Sequence, residues 1–319
     1  MTYILLLVGF VFLVKGADYF VSGASGVANK LRVPSLLIGL TIVAFGTSAP
    51  EAAVSISAAI KGNNGIAMGN VLGSNLFNMT FIIGLSALFY PLVVEKQTIK
   101  KEIPIMLLSA LALATISADT YITQSKAAMS LDRGDGLILL LFFSVFIYYI
   151  FEVAKNSRET MAIEDVMMKS ESKKMIIYTI GGVTAIIVGG NMVVNSATEI
   201  ARSFGLSETI IGLTIVAIGT SLPELVTSVV ASIKKQPDIA VGNIVGSNIF
   251  NVLFILGVSA VISPLSIDGS LIVELVLNVI ITIVFLGFSI TKHKISKIEG
   301  VFLLFSYVAY VTYLLSNVL

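Results

Sequence analysis

Glu51 and Glu224 each close a run of thirteen residues, 39–51 (GLTIVAFGTSAPE) and 212–224 (GLTIVAIGTSLPE), and the two runs agree at 11 positions. Each run lies inside an apolar stretch long enough to cross a bilayer, where an acid is costly and is rarely kept without a partner. The acids follow Gly46-Thr47-Ser48-Ala49-Pro50 and Gly219-Thr220-Ser221-Leu222-Pro223. Pro removes a backbone donor and clashes one turn back, and Gly lets the chain leave helical geometry, so both helices are expected to break here. Carbonyls of about Ala44 to Thr47 and Ala217 to Thr220 would then lose intrahelical partners, and a bound cation would replace them. A plainer reading competes. Ser48-x-x-Glu51 and Ser221-x-x-Glu224 also fit a capping box, in which each Glu merely closes the start of a half-helix. Two copies at mid-membrane depth favour the cation site.

A second repeated element supplies more oxygens. Residues 69–78 (GNVLGSNLFN) and 242–251 (GNIVGSNIFN) share seven of ten positions. Ser74 and Asn78 are four apart and share one helical face, and Ser247 and Asn251 repeat the arrangement. For Gly69, Gly73, Gly242 and Gly246, close helix packing is an equal alternative, with Ser or Asn as polar glue. For Asn78 and Asn251 ligation is favoured, because an unpaired amide among apolar neighbours is expensive and its carbonyl is a good hard-cation donor. Two carboxylates, the freed carbonyls, two amides and the hydroxyls of Thr47, Ser48, Ser74, Thr220, Ser221 and Ser247 make an all-oxygen cage. Such a cage suits Ca²⁺, which takes about 6–8 oxygens flexibly, or several Na⁺ ions, better than Mg²⁺. One Ca²⁺ would neutralise the two acids, and Na⁺ on the same oxygens would have to displace it. That exclusion is the physical basis of antiport.

The elements that carry these residues are membrane spans. The 319 residues are 56% hydrophobic and 12% charged, with net charge +1, no Cys and one His. Thiolate, imidazole and soft-metal chemistry are excluded by those counts, and nothing suggests nucleic acid or an obligate protein partner. No cofactor and no enzymatic activity are expected, since no nucleophile and base accompany the two acids. Ten spans are predicted, at about 3–24, 35–60, 65–90, 102–118, 134–154, 175–198, 207–233, 238–262, 271–290 and 298–317. The first has no basic residue before its apolar stretch and reads as a transmembrane helix rather than a signal peptide.

The halves align without a gap at an offset of 173 residues. Five spans per half is an odd number, so the second half enters the membrane inverted. The expected organisation is an all-α polytopic membrane protein: a first five-helix repeat (1–154), a cytoplasmic linker (155–174) and a second, inverted repeat (175–319), with helices 2 and 7 interrupted. Connections after the odd spans hold fifteen Lys and Arg against four on the other side. The positive-inside rule then makes the first set cytoplasmic and both termini extracytoplasmic, in a cell membrane. Lys15 and Asp18, three apart on span 1, are expected to pair or snorkel. Glu95 and Asp268 fall in loops, and Asp135, Glu199 and Glu274 near span ends.

At the two repeated motifs the chain resembles the Ca²⁺/cation antiporter superfamily, specifically the Na⁺/Ca²⁺ exchanger family and its prokaryotic members. The resemblance covers the whole chain, and the paired GTS-x-PE motif differs from the Gly-Asn-Ala-x-Glu form of Ca²⁺/H⁺ exchangers. It implies that Glu51 and Glu224 are central Ca²⁺ ligands shared with Na⁺. It further implies that the carbonyls of Ala44, Thr47, Ala217 and Thr220, with Ser48, Ser74, Ser221 and Ser247, complete flanking Na⁺ sites, and that Asn78 and Asn251 sit in the middle. Spans 1 and 6 are implied to slide against a stationary core. Asn251, where K⁺-dependent members usually carry an acid, speaks against K⁺ dependence, and the short linker has no room for large regulatory domains. H⁺-coupled Ca²⁺ exchange and a Ca²⁺-permeable channel remain the alternatives.

Overall fold

A computed structural model describes residues 2–118, 129–161, 172–204, 217–267 and 269–318. Nearly all of them are helical. In chain order the elements are α1 (Thr2–Leu31), α2 (Ser35–Thr47), α3 (Ala49–Ile60), α4 (Asn64–Phe89), β1 (Leu92–Val93), α5 (Lys96–Lys100), α6 (Glu102–Ser117) and β2 (Ser130–Leu131). They continue with α7 (Arg133–Met161), α8 (Ser172–Ser203), α9 (Ala217–Thr220), α10 (Leu222–Ile233), α11 (Pro237–Ile262), β3 (Leu265–Ser266), α12 (Gly269–Lys292), β4 (Lys294–Ile295) and α13 (Lys297–Val318).

Local signals explain the boundaries. α1 stops where Arg32 turns into left-handed backbone at φ 56°, two residues ahead of Pro34, which disfavours helix before it. α7 starts at a reciprocal cap: the Asp132 N–H donates to Asp135 Oδ2 and the Asp135 N–H to Asp132 Oδ1, both at 2.9 Å. α2 and α3 meet at 49° across Ser48, two residues before Pro50. Among the described residues three π-turns interrupt the helices, Gly39–Val43 in α2, Asn78–Ile82 in α4 and Phe250–Leu256 in α11.

Among the described residues seven helices are long and apolar enough to cross a membrane, or eight if the bent pair α2 and α3 counts as one span. The ten-span expectation is therefore met only in part by length and composition. α6 has 16 residues and α10 has 12, each shorter than a full span. The first part of the expected seventh span, 207–216, lies outside the described residues, as do half of the linker, at 162–171, and Asp268.

α4 and α11 form the centre: 78% and 83% of the residues in an apolar 18-residue stretch of each are buried, against 11% and 17% in α13 and α7. The site-bearing helices are thus screened from lipid by the others. α11 approaches α2 closely enough that a Cβ on Gly246 would fall 2.5 Å from the Leu40 carbonyl oxygen and one on Gly242 2.7 Å from that of Leu36. The close-packing reading of these two glycines is therefore correct. α1 and α8 lie along one another, with Gly182 against the backbone of Gly16 and Phe20.

Two short antiparallel ladders tie the ends of the molecule. β1 pairs with β4 through Leu92 and Ile295, and β2 with β3 through Leu131 and Leu265. Asp18 does not pair with Lys15 as expected. It bonds Lys234 just past α10, at 2.8 Å, and that ammonium also donates to the Asp18 carbonyl and to Ser22. The partner is supplied by tertiary packing, which a three-residue spacing on one helix cannot reveal. Glu274 accepts a hydrogen bond from Tyr310 at 3.0 Å, and Glu199 one from Thr2 at 2.9 Å.

Candidate cation site

The two breaks face one another, and the hydroxyl of each serves the acid of the other. Ser48 Oγ donates to Glu224 Oε1 at 2.8 Å, and Ser221 Oγ donates to Glu51 Oε1 at 2.9 Å. Neither serine caps its own half-helix. The capping-box reading therefore fails, because the side chains that would close it are engaged across the repeat. Both serines hold nearly the same backbone conformation, φ −81°, ψ 7° at Ser48 and φ −88°, ψ 6° at Ser221, in the sparsely populated bridge region common at active sites.

Glu51, Glu224, Asn78 and Asn251 are each 1% exposed. One oxygen of every one of them, Glu51 Oε2, Glu224 Oε2, Asn78 Oδ1 and Asn251 Oδ1, is buried without a hydrogen-bond partner among the described residues. Buried polar atoms are normally satisfied, so four such acceptors on four repeat-related residues need an explanation. The Ser247 hydroxyl is buried and has no hydrogen-bond partner among the described residues, while Ser74 lies 3.1 Å from the Ser221 hydroxyl. All of these are oxygens, which is the donor set a hard cation takes.

The remaining predicted residues have defined places. Thr47 Oγ1 lies 3.0 Å from both the Val43 carbonyl and Asn243 Oδ1, and Thr220 Oγ1 lies 3.3 Å from Asn70 Oδ1. The Ala44 carbonyl does not lose its intrahelical partner as expected, since it accepts the Ser48 N–H at 2.9 Å. In the second copy the Ser221 N–H donates to the Ile218 carbonyl at 3.2 Å. Pro50 and Pro223 themselves have no N–H to offer Gly46 and Gly219.

Four further asparagines of the repeated motifs, Asn70, Asn75, Asn243 and Asn248, form the frame. Asn70 donates to Ser55 at 2.9 Å and to the Glu51 carbonyl at 3.4 Å, and Asn243 donates to Ser228 and the Glu224 carbonyl at the same distances. Each therefore holds the acid-bearing half-helix of its own repeat while accepting from a threonine of the other. Asn75 and Asn248 accept from Asn251 and Asn78 at 3.0 and 3.1 Å. Their recurrence at equal places in both ten-residue motifs was the available signal. A cavity of about 280 Å³ opens beside the breaks, lined by Ala49, Pro50, Gly190, Asn191, Gly219 and Thr220 among others.

Comparison with known proteins agrees with this chemistry. A family profile described as sodium/calcium exchanger protein matches residues 1–152 and 174–316. The chain is 36% identical over 342 residues to the sodium/calcium exchanger MaX1 of Methanosarcina acetivorans, with 98% of each chain covered. It is 36% identical over 271 residues to the inner membrane protein YrbG of Escherichia coli strain K12, covering 83% of this chain and 81% of that one. Its fold is similar to a solved structure of the sodium-calcium exchanger NCX_Mj, with a TM-score of 0.84 at 29% identity over 98% of both chains.

Proposed function

The chain belongs to the sodium/calcium exchanger protein family, and from that premise we propose that it is a secondary antiporter exchanging Na⁺ for Ca²⁺ by alternating access to the site between the two breaks. The observation that carries this reading is the set of four buried oxygens without a partner on Glu51, Glu224, Asn78 and Asn251. Two of them belong to carboxylates, so one Ca²⁺ neutralises the cage and Na⁺ competes for the same atoms. The hydroxyls of Thr47, Ser48, Ser74, Thr220, Ser221 and Ser247 and the carbonyls of Ala44 and Ala217 complete the Na⁺ positions; the Ala44 oxygen does so with its second lone pair.

The architecture in this proposal is ten spans in two inverted halves, 1–154 and 175–319, joined by a cytoplasmic linker at 155–174, in the cell membrane with both termini outside. The pairings between connections support the sidedness. β1 follows span 3 and β4 follows span 9, while β2 follows span 4 and β3 follows span 8, so each ladder joins loops assigned to one side. Thr2 and Glu199, both assigned outside, also meet. α1 and α8 pack on each other through glycines, and only 33% of the residues in an apolar 18-residue stretch of each are buried, which suits a pair that slides on a fixed centre.

The test is Ca²⁺ uptake into Na⁺-loaded proteoliposomes with pH and voltage clamped. Uptake that requires internal Na⁺ is expected. Uptake indifferent to Na⁺ and driven by a pH gradient would replace Na⁺ with H⁺, and Ca²⁺ flow without any counter-ion would mean a channel.

A further inference from the structure

We propose that Asn75 and Asn248 are positioning residues that fix which end of the Asn251 and Asn78 amides faces the ions. The inference rests on the reading of Asn78 and Asn251 as ion ligands. An amide presents a carbonyl acceptor at one end and two N–H donors at the other, so tying down its nitrogen decides where its oxygen points. Asn251 Nδ2 donates to Asn75 Oδ1 at 3.0 Å, and Asn78 Nδ2 donates to Asn248 Oδ1 at 3.1 Å. Both bonds cross between the halves and run in the same sense, with the ligand donating and the brace accepting. The oxygens left over, Asn251 Oδ1 and Asn78 Oδ1, are the ones without a partner.

Polar glue between helices has no need of that polarity, because a bond in either direction would hold α4 to α11. The braces are themselves held. Asn75 Nδ2 donates to the Asn248 carbonyl at 3.4 Å, and Asn248 Nδ2 lies 3.7 Å from Met106 Sδ, a weak acceptor. Both braces are nearly fully buried, at 4% and 3% exposure, so no water replaces them cheaply. If Asn75 is removed, the Asn251 amide loses the bond that selects one of its two orientations. The terminal amide torsion is broad and nearly two-fold, so the group then also presents an N–H to the cation in place of its oxygen. A divalent ion feels that reversal twice as strongly as a monovalent one, so Ca²⁺ binding suffers more than Na⁺ binding.

The experiment uses the purified full chain in detergent, titrated with Ca²⁺ by calorimetry, and the same variants in Na⁺-driven uptake. Asn75→Leu and Asn248→Leu are each expected to weaken Ca²⁺ binding by roughly 10- to 100-fold, the range for outer-shell partners of metal ligands, raising the Ca²⁺ KM more than they lower the maximal rate. Asn75→Asp and Asn248→Asp keep an acceptor oxygen in the same place and are expected to recover most of the loss. On an Asn251→Ala background, Asn75→Leu is expected to cost nothing more, since its partner is already gone. Should a Leu variant not fold, the corresponding Ser variant, too short to reach the amide, replaces it. Equal losses in the Leu and Asp variants, or additive losses in the double variant, would overturn the inference while leaving the exchanger reading in place. A wild-type chain that binds no Ca²⁺ would overturn both.

Discussion

Replacing Glu224 by Gln removes one of the two charges at the site and nearly nothing else. Gln keeps an Oε1 that can accept from Ser48, whose hydroxyl lies 2.8 Å from the present carboxylate, so the break should keep its shape. With both acids ionised, one Ca²⁺ leaves the buried cage neutral. With a single acid it leaves a net positive charge among residues 1% exposed. Removing one partner of a buried charge pair costs about 3–5 kcal/mol, equivalent to a Kd weakened roughly 150- to 5,000-fold. A single Na⁺ is still neutralised by the remaining Glu51, so Na⁺ binding should fall far less and the ratio of Ca²⁺ to Na⁺ affinity should drop with it. Removing a like charge from the pair should leave the unfolding temperature of the ion-free protein unchanged or raised. Because Ser221 serves Glu51 as Ser48 serves Glu224, Glu51→Gln should match it closely. Calorimetric Ca²⁺ titration in detergent, beside Na⁺-driven uptake in proteoliposomes, reads both quantities. A loss of less than tenfold in either variant, with exchange retained, would refute the placing of both carboxylates on one Ca²⁺.

Other perturbations test the packing around the site. Gly246→Ala would press a methyl to 2.5 Å from the Leu40 carbonyl oxygen, where backbone must move, and should destabilise the protein by about 1–3 kcal/mol in denaturant unfolding. Tyr149→Phe removes the hydroxyl that donates to Glu102 Oε1, and since Glu102 Oε2 is already without a partner among the described residues, both oxygens of a fully buried acid would then lack one there. A loss of about 1–3 kcal/mol is expected in the same assay, and an unchanged midpoint would contradict it. Asp18→Asn breaks a partly exposed ion pair while Lys234 keeps its bonds to Ser22 and the Asp18 carbonyl, so it should cost no more than about 1 kcal/mol.

What could be read from the sequence was whatever a single helix declares by itself. The apolar runs, the Gly and Pro at each break, and the two acids are local facts, and they led to the right family and to the residues that the structure gathers around the breaks. What could not be read depends on which helix lies opposite. Ser48 looked like a cap for its own half-helix because the competing acceptor, Glu224, is 176 residues away. Asp18 looked like a partner for Lys15 for the same reason. The Ala44 carbonyl was expected to be free because Pro50 spoils the pattern, yet the chain closes the Ser48 N–H onto it before the break. The π-turns at Asn78–Ile82 and Phe250–Leu256 carry no sequence mark of their own; they begin at Asn78 and just before Asn251.

The reciprocity of the bonds leads to one more step. Ser48 of the first half completes the acid of the second, and Ser221 that of the first; Thr47 and Thr220 meet Asn243 and Asn70, and Asn78 and Asn251 are held by Asn248 and Asn75. Every one of these bonds crosses the repeat, so each half lends a serine hydroxyl to the buried acid of the other. A half alone would hold a carboxylate in an apolar setting with no donor from across the break, the arrangement that costs most in a membrane. The two motifs are therefore constrained as one object: a change in one copy is felt in the other, because the atoms that complete each acid are contributed by the opposite repeat. That accounts for 11 of 13 residues agreeing in the first pair of runs and seven of ten in the second, each pair 173 positions apart.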